Sequence, residues 1–130
     1  GVRINDRKGM EEAAQALQRM GSTHVLVKGG HLEGEPLDIL RYADTTMALA
    51  KKRIDTLNTH GTGCTTAAAL AALLARGFPL PTAAQMAKEF IHTAIMTAPE
   101  FGCGHGPVNH FVAADSLKHS IHSQHERTKQ

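Results

Sequence analysis

The apolar positions of the chain change period several times, and each change marks an element. Met10, Ala13, Ala14, Leu17 and Met20 recur at helical spacing with Glu11, Glu12, Gln15 and Gln18 between them. This predicts an amphipathic helix over Met10–Met20, ended by Gly21. His24-Val25-Leu26-Val27 is a short apolar run between glycines and predicts a buried strand. Lys28-Gly29-Gly30 follows at its carboxyl end, where open α/β sheets place their ligands. Leu37–Tyr42 and Thr46–Ala50 read as a hairpin across Ala43-Asp44-Thr45. A turn-rich stretch, Asp55–Gly63, leads into Thr65–Arg76, which is apolar nearly all round and predicts a buried helix. Gly77, Pro79 and Pro81 break it. Thr82 is placed to cap a second long helix to about Thr97, with Ala83, Met86, Ala87, Phe90, Ile91 and Ala94 on one face. Pro99 lies beyond its end. Gly102–Gly106 reads as a loop, Pro107–Ala113 as a short packed segment, and Ser116–Gln130 as a polar tail, helical or frayed.

These elements supply too few strands for a complete doubly wound sheet; they describe half of one, whose exposed apolar edge would be a liability alone. A length of 130 residues suits one domain. The 14 Lys+Arg against 12 Asp+Glu, a formal +2 with nine His neutral, argue against a nucleic-acid binder built on a dense basic face. The longest apolar run, Ala67–Ala75, is about half a membrane span, which argues against a transmembrane helix. No signal peptide is visible, and two well-separated cysteines, Cys64 and Cys103, read as reduced thiols, so a cytoplasmic protein is expected. The opening on Gly1 in place of Met reads as a cut, a tag scar or a processed end. Cys103, His105 and His110 offer three metal-ligand types at irregular spacing, short of the four that structural zinc takes, and metal ligands stay unknown. His119, His122 and His125 recur every third residue; a polar tail explains them better than a metal.

The segment with the most chemistry is Asn58-Thr59-His60-Gly61-Thr62-Gly63-Cys64-Thr65, which feeds into the Ala-rich helix. Its two glycines let the backbone turn tightly and expose successive N–H groups, and free amides at a helix start attract anions. The same field favours a thiolate at Cys64, so the loop combines a phosphate cradle with a base or nucleophile. Lys28, flanked by glycines at a strand end, suits a cation reaching phosphate. The P-loop pattern is absent, and Thr66 stands where a dinucleotide fingerprint needs its third Gly or Ala. On these residues alone two readings stay open, an anion-binding loop and a structural helix start. By the same measure Lys28 is either a phosphate ligand or a solvated lysine, and Cys64 either a base or a buried thiol.

Thr59-His60-Gly61-Thr62-Gly63-Cys64-Thr65, with Arg53-Ile54-Asp55-Thr56 before it, resembles the signature of hydroxymethylpyrimidine/phosphomethylpyrimidine kinases of thiamine biosynthesis, members of the ribokinase-like superfamily. Two further blocks resemble the same family in the same order: Val25-Leu26-Val27-Lys28-Gly29-Gly30-His31 and Gly104-His105-Gly106-Pro107-Val108-Asn109-His110-Phe111. The similarity runs from about Met10 to about Phe111. It implies an α/β fold, a three-layer α/β/α sandwich with a largely parallel sheet. This chain would hold its carboxy-terminal, nucleotide-binding half, with residues 1–115 in the kinase domain and 116–130 a His-containing tail.

The reaction implied by the resemblance moves the γ-phosphoryl group of ATP to 4-amino-5-hydroxymethyl-2-methylpyrimidine, then phosphorylates that monophosphate. Gly61, Thr62 and Gly63 would form the anion hole and Cys64 the catalytic base. Lys28 and Mg²⁺ would neutralise nucleotide phosphates, with Thr59, His60, Val108 and Asn109 on the nucleotide side. Sugar kinases of the superfamily carry Asp where Cys64 stands, which turns the resemblance to the vitamin kinases. A pyridoxal or pyridoxine kinase is the alternative within that branch, and a non-catalytic nucleotide-binding or assembly fragment the alternative outside it. The family's pyrimidine pocket, lid and first strands precede the segment equivalent to Gly1. The resemblance therefore implies a part that is inactive when isolated, its partners being ATP, the pyrimidine, and either another copy or the missing amino-terminal half.

Overall fold

In the computed structural model, which describes residues 4–127 and side chains as far as His122, the first helix begins before its apolar stripe. Gly1, residues 128–130 and the side chain of His125 lie outside the described set. Helix α1 spans Arg7–Arg19 because Asp6 caps it: Oδ1 accepts the Gly9 N–H at 2.8 Å. Its stripe is buried only in the first half, at Gly9, Met10 and Ala14, while Leu17 and Met20 are exposed. Gly21 follows at φ +111°, a conformation that ends the helix at little steric cost.

The chain divides into two compact units after Arg53. In the first, α1 packs on β1 (His24–Lys28) and β2 (Leu37–Tyr42), and β3 (Thr45–Ala50) completes a sheet of order β1-β2-β3. Both pairings are antiparallel, with Lys28 opposite Asp38 and Tyr42 opposite Thr45. The largely parallel sheet implied by the resemblance is not what these three strands form. A parallel pair needs a crossover of a dozen or more residues, and residues 29–36 and 43–44 are too short for one. β1, expected to be buried, is half-exposed at the edge of the described sheet, with only Val25 buried. β2 is central and carries the buried Asp38, Ile39 and Leu40. Burying side chains such as Ile39 and Leu40 stabilises the unit by roughly 1.5–3 kcal/mol each.

The hairpin turn is tighter than expected: β3 starts at Thr45, leaving Ala43-Asp44 to turn the chain. Ala43 takes φ +47°, where a Cβ is disfavoured and glycine is not. Ala43→Gly is expected to raise stability by up to about 1 kcal/mol, read as a higher urea midpoint at unchanged slope.

The second unit is helical, with α2 (Thr62–Ala75), α3 (Leu80–Met96) and α4 (His110–Arg127). α3 lies between the other two and places Ala83, Met86, Ala87, Ile91 and Ala94 in the core, the face its spacing predicts. Leu73, Ala83, Met86 and Ala87 form one cluster, and Ile91, Ala94, Val108 and Ala113 a second. Thr82 is not the cap: α3 starts at Leu80 after Pro79, and Pro81 sits in the first turn, where its missing N–H costs nothing. α2 starts at Thr62, so the expected loop residues form its first turn. Nor is α2 buried all round. Thr65, Thr66 and Leu73 are buried, but Ala67, Ala71 and Leu74 are exposed, because its main neighbour is α3 alone. The segment after Ser116 continues α4, and its Leu117 and Ile121 pack on the Leu73 cluster. Among the described residues no helix is long and apolar enough to cross a membrane.

Candidate active site

Gly61 is the N-cap of α2 and takes φ +83°, a left-handed turn that sends the chain straight into the helix. The Thr65 N–H closes the first helical turn on Gly61 O at 2.9 Å, and the Thr62 N–H reaches back to Thr59 O at 3.4 Å. Thr66 Oγ1 donates to Thr62 O at 2.7 Å. The N–H groups of Gly63 and Cys64 stand ahead of the helix ladder, which cannot supply them with acceptors. Apart from its chain neighbours and the α2 backbone, no described atom lies within 4 Å of where a Cβ on Gly63 would stand, so nothing else packs on that side of the turn. Cys64 is an exposed free thiol. It lines one end of a groove of about 550 Å³ whose walls include Thr65, Ala68, His110 and Leu117, from α2 and α4.

The third motif block zips onto this loop. The His60 N–H donates to Gly106 O at 3.2 Å, and His60 and Pro107 form a parallel bridge. The Gly106 N–H donates to Asn58 Oδ1 at 3.1 Å. His105 Nδ1 lies 3.1 Å from Leu57 O, and Thr65 Oγ1 lies 2.9 Å from His110 Nε2. Thr59, His60, Gly61, Thr62, Gly63 and Cys64 are thus gathered beside the segment that carries Val108 and Asn109. Val108 is buried in the Ile91 cluster. Asn109 frames the start of α4: its N–H donates to Ala94 O at 2.8 Å and Nδ2 to Thr97 O at 3.0 Å, while Oδ1 accepts from Val112 at 3.2 Å.

Lys28 belongs to the first unit, at the end of β1. Its Nζ lies 3.9 Å from Asp38 Oδ2, and the Gly29 N–H donates to Asp38 Oδ1 at 3.1 Å. Asp38 is 2% exposed, so its carboxylate holds the Lys28-Gly29 corner from inside the sheet. Arg53, noted only as part of a motif, spans the loop after β1 by donating to the carbonyls of Gly30, Leu32 and Gly34. Sequence reasoning passed over Asp38, whose signal was a carboxylate inside the apolar run Leu37–Leu40, and named Asn58 only as the start of the loop segment, without a role.

Among the described residues no three His, Cys, Asp or Glu gather to hold a metal ion. His105 and His110 are instead engaged with Leu57 and Thr65, and His119 Nδ1 lies 2.7 Å from Asp115 O.

A phosphomethylpyrimidine kinase family model matches residues 1–109. The hydroxymethylpyrimidine/phosphomethylpyrimidine kinase of Rhizobium meliloti is 50% identical over 109 residues, which cover 82% of this chain and 41% of that protein. The thiamine biosynthesis bifunctional protein ThiED of Geobacter sulfurreducens is 47% identical over 119 residues, covering 91% of this chain and 24% of that protein. The chain thus spans less than half the length of these relatives. Among solved structures, the pyridoxal kinase from Staphylococcus aureus in complex with AMP-PCP and pyridoxal superposes at a TM-score of 0.80 with 33% identity, over 83% of this chain and 41% of that one. Phosphomethylpyrimidine kinase from Clostridium difficile gives 0.59 with 30% identity, over 73% and 37%. The fold is accordingly part of the ribokinase-like α/β class. By its match over residues 1–109 the chain belongs to the phosphomethylpyrimidine kinase family.

Proposed function

We propose that this chain supplies the phosphoryl-transfer loop of a cytoplasmic hydroxymethylpyrimidine/phosphomethylpyrimidine kinase. The carrying observation is the open first turn of α2, where the N–H groups of Gly63 and Cys64 stand beside an exposed thiol. Phosphoryl transfer needs positioning and charge neutralisation more than covalent help. The turn Gly61-Thr62-Gly63 forms the anion hole: the open N–H groups of Gly63 and Cys64 receive the oxygens of the γ-phosphoryl group of ATP, and the α2 dipole adds to their field. Cys64 Sγ, in its thiolate form, accepts the proton of the substrate hydroxymethyl group as that oxygen bonds to the γ-phosphorus and the bond to the leaving ADP breaks. Thr59 and His60 flank the nucleotide in the second unit, and Lys28, in the first, is a phosphate ligand only by the resemblance of its motif. Val108 and Asn109, whose side chains are engaged in the core and in the α4 cap, back the nucleotide side of the loop. Mg²⁺, when bound with the nucleotide, supplies charge neutralisation on the phosphates.

The isolated chain is inactive on this reading, since relatives devote more than half their length to segments not matched here. Activity requires the rest of the kinase fold, contributed by another chain that carries the missing half or by the segment that the relatives hold in addition. The pyridoxal kinase reading stands second, favoured by the TM-scores of 0.78 and 0.80 to two such kinases.

Titration calorimetry with MgATP, followed by coupled turnover on hydroxymethylpyrimidine and on pyridoxal, tests the proposal. We expect weak nucleotide binding without turnover by the chain alone, and preference for the aminopyrimidine in the completed enzyme. Turnover by the chain alone overturns the claim that it is incomplete. No binding at millimolar nucleotide overturns the anion loop, and a preference for pyridoxal hands the assignment to the second reading.

A further inference from the structure

The third motif block has a role that its position in the fold makes visible. His110 does not project from a loose segment. Asn109 ties its backbone to the end of α3 through Ala94 O and Thr97 O, at 2.8 and 3.0 Å, and caps the helix that His110 begins. From that frame the imidazole meets Thr65 Oγ1 at 2.9 Å. Thr65 is buried, and its N–H closes the first turn of α2 on Gly61 O at 2.9 Å. One side chain thus joins the frame of α3 and α4 to the turn that carries Gly63 and Cys64. On the other side of the loop Asn58 Oδ1 receives the Gly106 N–H at 3.1 Å. The approach is so close that a Cβ on Gly106 would stand 2.2 Å from that oxygen, so only glycine admits it. His60, between the two, is bridged to the same block through its backbone.

We propose that His110 and Asn58 are positioning residues that clasp the Gly61–Cys64 turn from both sides, so that its amides and the Cys64 thiol are held in place before substrate arrives. A preorganised turn spends no reorganisation at the moment of transfer, which is where fixed donors contribute most. The catalytic consequence rests on the kinase reading above; the clasp itself does not.

Amide hydrogen exchange on the full chain tests the clasp without any activity. In His110→Ala and Asn58→Ala the Thr65 amide is expected to exchange at least about tenfold faster, while the Leu73 amide deeper in α2 holds its rate. His110→Gln, which keeps a side-chain hydrogen-bonding group of similar reach, is expected to restore most of the protection. Unchanged Thr65 exchange overturns the proposal, and so does an equal rise at Leu73, which would mean general loss of stability. In the completed enzyme His110→Ala is expected to lower kcat by about tenfold or more with the KM for ATP within about threefold. Fast Thr65 exchange with normal kcat overturns the positioning role. A wild-type enzyme that does not turn over, with the exchange pattern intact, overturns the kinase reading and leaves the clasp standing.

Discussion

Cys64→Ala is expected to lower kcat of the completed enzyme by about 10²- to 10⁴-fold, the range that a positioned general base contributes. The substitution is clean for three reasons. Cys64 is the third residue of α2, and Ala there is a better helix former than Cys, so the turn keeps its geometry. Its side chain is exposed, so no core packing is lost. Its backbone N–H remains, so the contribution of that amide to phosphate binding is retained. The KM for ATP is therefore expected to stay within about threefold while kcat collapses, the pattern of an interaction made only in the transition state. Cys64→Ser leaves an oxygen that is a far weaker acid than a thiol and should restore little. Retention of more than about a tenth of the wild-type kcat in Cys64→Ala would remove Cys64 from the role of base, leaving the anion hole as the loop's whole contribution. The second cysteine, Cys103, is also an exposed free thiol, and Cys103→Ala is the control that should leave kcat unchanged.

The loop around Cys64 also shows which parts of this protein can be read from its residues and which cannot. Three motif blocks in one order carried the family, and the strands fell where the short apolar runs lie, because both are local properties. Gly61-Thr62-Gly63 read locally as a loop, yet the left-handed Gly61 lets the helix begin at Thr62, so the glycines are the first turn and its cap. Composition made α2 look buried on every side, but burial depends on neighbours, and a run of alanines does not reveal how many helices lie against it. The polar look of the segment after Ser116 hid Leu117 and Ile121, which are spaced one turn apart and pack on the Leu73 cluster. Asn58 and Asp38 were hidden for a different reason. Each matters through a backbone N–H elsewhere, Gly106 for the one and Gly29 for the other, and no local pattern announces such a partner. The partners of His105 and His110, Leu57 O and Thr65 Oγ1, lie 48 and 45 positions away in the chain and were as illegible in the residues.

The adjacent glycines of the Lys28-Gly29-Gly30 motif are expected to respond oppositely to the same substitution. A Cβ on Gly29 would stand 2.3 Å from Leu37 O and 2.9 Å from both Sδ and Cε of Met10. The first of these cannot give way easily, because Leu37 O is backbone at the start of β2; the thioether end of Met10 can shift, but Met10 is fully buried on α1. Gly29→Ala must therefore push β1 and β2 apart at the Lys28–Asp38 pair, which also lengthens the Gly29 N–H bond to the buried Asp38 carboxylate. Overpacking of this kind costs about 1–3 kcal/mol, and a weakened donor to a buried carboxylate adds about 1–2 kcal/mol. A combined loss of about 2–5 kcal/mol lowers Tm by about 8 °C or more in a small domain. Gly30 has no neighbour within 4 Å of its Cβ position, is exposed, and lies outside the left-handed region, so Gly30→Ala should change stability by less than about 0.5 kcal/mol. Urea midpoints of the two variants decide the matter. Equal midpoints would mean that the sheet can open at Gly29 without loss, and Asp38 would then not be what holds Lys28 at the end of β1. A large gap ties the lysine's placement to the crowded glycine beside it.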